Sequence, residues 1–205
     1  AGCAALAEAI VKGEAKPNAC TGASAEINAA ICGSVAVKTD DGYRNRLYFV
    51  TPDGEVFHYD KRHLFCYGGE HKHYCAGEDR VIVNYLGIRI LLLICYDLRF
   101  PKWSRNNEDY DIAIYVANWP IGRIEAWNIL LKARAIENQC YVIGVNRVGN
   151  TDACKYSGSS AIIDPYGKTI AECTDYEVSS ASAKIDMETL EKFRTKFPVL
   201  KDRDM

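Results

Sequence analysis

Ile88-Arg89-Ile90-Leu91-Leu92-Leu93-Ile94-Cys95-Tyr96-Asp97-Leu98-Arg99-Phe100-Pro101 sets the frame for the rest of this chain. The apolar first half has the length and β-branched content of a buried strand, and the polar residues after it read as a turn into a helix. Cys95 then stands at the C-terminal end of a strand and near a helix N-terminus. In α/β proteins that edge is where ligands bind, and a helix dipole there favours thiolate over thiol. A free cysteine can equally be a small buried apolar residue, so its position alone leaves both readings open.

Outward from this run the pattern alternates. Val81-Ile82-Val83 precedes it, and a short helix follows from about Pro101. Next come a strand over Asp111–Ala117, a helix from about Gly122 to Gln139, and a strand over Tyr141–Val145. Strand–helix–strand–helix–strand implies parallel neighbours with helical crossovers. On the long helix Ile124, Trp127, Leu131, Ala135 and Cys140 fall along one side, with Arg123, Lys132, Arg134 and Glu137 distributed around it. Upstream, residues 30–37 read as a strand and 46–59 as a hairpin turning at Thr51-Pro52-Asp53-Gly54. Proline second and glycine fourth fit a type I turn. The device recurs at Asp164-Pro165-Tyr166-Gly167, which suggests two sheets of related layout. A last helix over Met187–Lys196 follows Asp186 as its N-cap. Together these elements fit a layered α/β sandwich.

With 205 residues, 48% of them hydrophobic, the chain can bury one substantial core. A formal net charge of −2 gives no electrostatic case for nucleic acid or an anionic membrane. No apolar stretch reaches spanning length, and the first residues do not form a basic-then-apolar signal, so a cytoplasmic protein is expected. Nine cysteines at irregular spacing, without C-x-x-C, read as reduced thiols rather than a disulfide scaffold. Cys66, His71, His73 and Cys75 are ligand types that zinc accepts. Their spacing matches no common structural site, and the stretch reads as a solvated loop, with no metal expected.

Two further segments join the first. Tyr59-Asp60-Lys61-Arg62-His63-Leu64-Phe65 leaves the hairpin with Lys61 at its end, and Glu70 follows nine residues later. Together with Ile94–Pro101, Asn118-Trp119-Pro120 and Ala133–Gln139, in this order, the sequence resembles the nitrilase or carbon–nitrogen hydrolase family over about residues 29–200. Within that family it looks most like the omega-amidases. The resemblance implies a four-layer α-β-β-α sandwich, a homodimer, no cofactor, and a Glu–Lys–Cys triad acting on a small-molecule amide. Cys95 would be the nucleophile that forms a thioester and releases ammonia. Lys61 would hold positive charge beside the developing oxyanion, and the backbone N–H of Tyr96 would be a second donor. Glu70 matches a glutamate that positions the lysine or the substrate.

An omega-amidase substrate is a 2-oxo acid amide such as 2-oxoglutaramate or 2-oxosuccinamate, so the pocket should hold a cation for its carboxylate. Arg123 is the candidate, since guanidinium grips carboxylates bidentately; a surface arginine near a helix start is the other reading. Asn118 and Trp119 follow a strand end and are expected in the pocket, although Trp119 suits a core role nearly as well. Arg99 is expected to brace the turn through Asp97 or a backbone carbonyl. The family's general-base glutamate lies in a Pro-Glu segment after an early strand, and none of Glu8, Glu14 and Glu26 has that context. Residues 1–28, rich in alanine, show no opening strand–helix–strand unit. The expectation is an atypical segment 1–28 followed by an N-terminally incomplete hydrolase domain, 29–205. Alternatives are an N-carbamoyl amino acid amidohydrolase, an aliphatic amidase, a non-catalytic homologue without the base, or a thiol redox sensor.

Overall fold

The structure is a computed structural model, and it describes residues 29–202. The readings made for residues 1–28, including Glu8, Glu14 and Glu26, lie outside the described residues. The chain divides at Val81/Ile82 into two compact units.

The first unit is built on an antiparallel meander: β1 (Ile31–Thr39), β2 (Gly42–Val50) and β3 (Val56–Asp60), in that spatial order. β2 starts at Gly42, four residues before the sequence reading. It pairs with β1 from Thr39↔Gly42 to Ile31↔Val50, so the expected lone strand is half of a hairpin. The turn to β3 forms at Thr51–Gly54 as expected: the Gly54 N–H donates to the Thr51 carbonyl at 3.1 Å. Gly54 has φ +94°, a region that a side chain enters only under strain. Leu47, Phe49 and Tyr59 are buried, following the period-2 rule for a sheet covered on one face.

The second unit contains a six-stranded mixed sheet of order β11-β10-β7-β6-β5-β4. Its centre is three parallel strands, β5 (Ile88–Ile94), β6 (Ile112–Ala117) and β7 (Tyr141–Asn146), as the alternating pattern required. β4 (Ile82–Tyr85) and the hairpin of β10 (Ala161–Ile163) and β11 (Thr169–Glu172) extend it antiparallel at either side. A small hairpin, β8 (Val148–Asn150) and β9 (Lys155–Ser157), stands apart. Leu91, Leu92, Leu93 and Ile94 are all buried, because a central parallel strand is covered on both faces.

Helix α1 (Pro101–Ser104) is a single turn, α2 spans Ile124–Asn138 and α3 spans Met187–Lys196. A 3-10 turn at Ile121–Arg123 leads into α2, and Gln139 ends it in a left-handed conformation at φ 43°. α2 packs on β7 so closely that a Cβ at Gly144 would lie 2.5 Å from Leu131 Cδ1 and 2.9 Å from Trp127 Cζ2. Burying residues such as Trp127 and Leu131 contributes about 2 kcal/mol each. Of the charged residues distributed around this helix, Arg134 is buried. α3 begins where expected, with the Asp186 carboxylate accepting the Thr189 N–H at 3.0 Å.

Candidate active site

Lys61 immediately follows β3 and is 3% exposed. Its backbone is fixed on both sides: the N–H donates to the Asn45 carbonyl, and its carbonyl accepts the Gly77 N–H, both at 2.9 Å. Gly77 approaches so near that a Cβ there would collide with the Asp60 carbonyl. The buried ammonium needs a counter-charge, and Glu70 supplies it, with Nζ 2.6 Å from Oε2. Oε2 also accepts the Phe65 N–H at 2.6 Å, and Oε1 accepts from the Asn45 side-chain amide at 3.0 Å. Burial works to raise the Glu70 pKa, but the Lys61 charge and these three donors outweigh it and hold the carboxyl below its ordinary value. The first unit therefore brings Lys61 and Glu70 together as an ionised pair. Asn45 went unread in the sequence. Its signal was there: it is in phase with Leu47 and Phe49 on the inward face of β2, where a polar residue needs a partner.

The loop carrying Glu70 consists of two 3-10 turns, Cys66–Gly68 and Glu70–Lys72. Cys66, His71, His73 and Cys75 are exposed along it. Among the described residues no three His, Cys, Asp or Glu side chains are grouped to hold a metal.

In the second unit each parallel strand ends in a polar residue: β5 runs into Cys95, β6 into Asn118, and β7 closes on Asn146. Cys95 has φ +46°. For a residue with a Cβ this left-handed conformation costs of order 1–3 kcal/mol, and such strain gathers at functional sites. Asp97 anchors the strand side of the bend, with its buried Oδ2 accepting the Ile94 N–H at 3.0 Å. The expected helix after the thiol is a five-residue 3-10 turn, Cys95–Arg99, followed by the single turn of α1. Segments this short carry little aligned dipole, so the expected dipole assistance to a thiolate is minor.

Asn118 is exposed at the strand end, whereas Trp119 is only 2% exposed. Its indole Nε1 donates to the Arg123 carbonyl at 2.7 Å, and its ring packs against Trp127. Trp119 is therefore a buried residue tied to the start of α2. The Arg99 guanidinium lies 5.1 Å from the Trp119 ring centroid. Arg123 is exposed at the end of the 3-10 turn. Asn146 organises this loop and was also missed. Its Oδ1 accepts the Trp119 N–H at 2.7 Å, and its Nδ2 donates to the carbonyls of Trp119 and Gly158 at 3.0 and 2.7 Å. A groove of about 610 Å³ runs between α2 and the β10–β11 hairpin, past Asn128, Lys132, Ser159 and Glu172; it is lined by none of the residues read into the site.

A family model described as carbon-nitrogen hydrolase matches residues 6–195, which includes most of the alanine-rich segment. The omega-amidase YafV of Escherichia coli K12 is 51% identical over 185 residues, covering 90% of this chain and 72% of that protein. The 2-oxoglutaramate amidase of Bacillus subtilis is 36% identical, covering 84% and 67%. Among solved structures, a CN-hydrolase superfamily protein of Xanthomonas campestris with an arsenic adduct in its active site is 44% identical. It superposes with a TM-score of 0.86 over 90% of this chain and 73% of that one. Nit3 of Saccharomyces cerevisiae, a nitrilase superfamily member, gives 0.82 at 25% identity, covering 91% and 70%. The expected nitrilase-type α/β fold is thus borne out, and the chain belongs to the carbon–nitrogen hydrolase family.

Proposed function

We propose that the protein hydrolyses the distal amide of a 2-oxo dicarboxylic acid, giving the dicarboxylate and ammonia. Amide carbon–nitrogen hydrolysis comes with the family. The finer substrate class rests on the omega-amidases at half identity over most of the chain. The observation that carries the mechanism is the strained Cys95, at φ +46° directly after the central strand β5.

In this reading the Cys95 thiolate attacks the amide carbonyl carbon; a C–S bond forms, and the carbonyl oxygen becomes an oxyanion. The Tyr96 N–H and the Lys61 ammonium are the groups assigned to that charge, and losing one such donor typically costs about 100–1,000-fold in rate. The C–N bond then breaks as nitrogen takes the proton that the thiol gave up and leaves as ammonia. Water attacks the thioester, the C–S bond breaks, and carboxylate and thiol are restored. Glu70 acts through Lys61, whose side chain it holds in a 2.6 Å ion pair. Arg123 and Asn118 are assigned to the substrate's carboxylate and oxo end, with Trp119 as the buried plate beneath their loop. The family model matches residues 6–195, across the boundary between the two compact units, which supports reading both as parts of one hydrolase domain. A reducing compartment such as the cytoplasm suits a thiol that must stay unoxidised. A homodimer is supported by the exposed stripe Glu125, Ile129, Lys132 and Ile136 on α2.

Ammonia release from 2-oxoglutaramate, 2-oxosuccinamate, an N-carbamoyl amino acid and a simple aliphatic amide tests the reading. Both 2-oxo amides are expected to turn over, and Cys95→Ala is expected to abolish the reaction. Turnover of only the carbamoyl or aliphatic compound would replace the substrate assignment.

A further inference from the structure

Arg134 has no part in the chemistry described so far, yet it lies in the C-terminal half of α2 with 4% of its surface exposed. A buried guanidinium is costly unless its donors are met. Here one of them is not, since Nε is out of solvent and has no hydrogen-bond partner among the described residues. The other two nitrogens are engaged: Nη1 donates to Glu137 Oε1 at 2.9 Å, and Nη2 to the Leu98 carbonyl at 2.6 Å. Leu98 is three residues beyond Cys95, inside the same 3-10 turn.

A left-handed cysteine persists only where the surroundings over-determine it. Asp97 supplies one restraint, on the Ile94 N–H at the end of β5. That bond closes between the turn and the end of its own strand. The Arg134–Leu98 bond is different in kind, because it joins the turn to the helix packed on β7. A charge-assisted bond of this length is among the stronger ones a carbonyl can accept.

We infer that Arg134 is a positioning residue for the nucleophile: reaching from α2, it fixes the Leu98 carbonyl and so holds the turn that presents the Cys95 thiol and the Tyr96 N–H. The inference rests on Cys95 being the nucleophile. Glu137 completes the device by holding the far arm of the fork and neutralising the charge. Lysine is a poor substitute, because an ammonium on a single stem cannot engage Leu98 and Glu137 with one planar fork.

The test compares Arg134→Lys, Glu137→Gln and Cys95→Ala with the wild type, using the best amide of the substrate panel and referring kcat to folded protein by circular dichroism. Misplacement of reacting groups lowers kcat without weakening ground-state binding, so Arg134→Lys is expected to lose about 10- to 100-fold in kcat with little change in KM. Glu137→Gln keeps the Leu98 bond but loosens the fork, and a kcat loss of about threefold is expected with unfolding temperature near wild type. Unchanged kcat in folded Arg134→Lys overturns the inference, as does a rise in KM alone. Should Arg134→Lys not fold, Glu137→Gln decides: wild-type kcat there overturns it. Activity surviving in Cys95→Ala would instead overturn the assignment of the nucleophile.

Discussion

Glu70 shows what a single carboxylate gains from its surroundings. Three donors converge on it, and its pKa is lowered in spite of burial. A carboxyl with a depressed folded-state pKa contributes stability that is complete above its unfolded value. That stability is lost as pH falls through the folded one. The stability difference between the wild type and Glu70→Gln is therefore expected to be constant at neutral pH and to shrink as pH drops below the ordinary glutamate range. Urea unfolding across a pH series checks this, and a difference independent of pH would contradict it. The catalytic expectation is separate: with a neutral amide beside it, Lys61 loses its counter-charge, and kcat should fall more than KM rises. Cys95 and Lys61 could be picked out because each stands in a short motif that the resemblance matches, and Glu70 because it follows Lys61 at a matching distance. Asn45, Asn146 and Arg134 could not, because each acts through a carbonyl, an amide or a carboxylate that only folding brings near.

At the scale of elements, turns and caps were the most readable features. Asp-Pro-x-Gly and Pro-Asp-Gly place both hairpin bends, and Asp186 starts α3, because those residue types satisfy local backbone geometry by themselves. The docking of α3 had no such local sign. Arg194 reaches from that helix to Asp111 Oδ1 at 2.8 Å, and to the carbonyls of Tyr110 and Gln139 at 2.8 and 2.9 Å. Arg89 meets the same carboxylate from the start of β5, through Nε at 3.0 Å and Nη2 at 2.7 Å. Burial alone would raise the Asp111 pKa, but the two arginines and the Arg89 N–H hold it down. Asp111→Asn leaves both guanidiniums without their anion. A loss of about 2–3 kcal/mol is expected, less than for a fully buried pair because the Arg89 side chain is 39% exposed. Hydrogen exchange should then accelerate in α3 before it does in β5–β7. Uniform acceleration would show that the helix is held by its apolar face instead.

At the scale of the whole molecule, the proposed dimer gives the remaining test. Ile129 and Ile136 are 62% and 53% exposed on α2, seven residues apart and so on one side of the helix. Glu125 and Lys132 share that stripe. In an antiparallel pairing about a twofold axis, Glu125 of one copy faces Lys132 of the other, an isologous contact of matching charge. Ile129→Asp puts a charge at the centre of that contact. Light scattering is expected to fall from the mass of two chains to that of one; an unchanged mass would place the interface elsewhere.

The sequence by itself determined the class of fold, the parallel run of central strands and the turns, and it named candidates for the reaction. These follow from hydrophobic periodicity, from the fixed dihedrals of proline and glycine, and from the limited set of side chains that can do this chemistry. The tertiary structure decided how the reactive groups are held. It put Cys95 into a left-handed bend, buried Arg134 against the carbonyl of Leu98, moved Trp119 into the core and gave Glu70 its three donors. Those outcomes depend on contacts between residues distant along the chain. No local propensity encodes such contacts, because a buried polar group takes its partner from whatever the packed fold brings within reach.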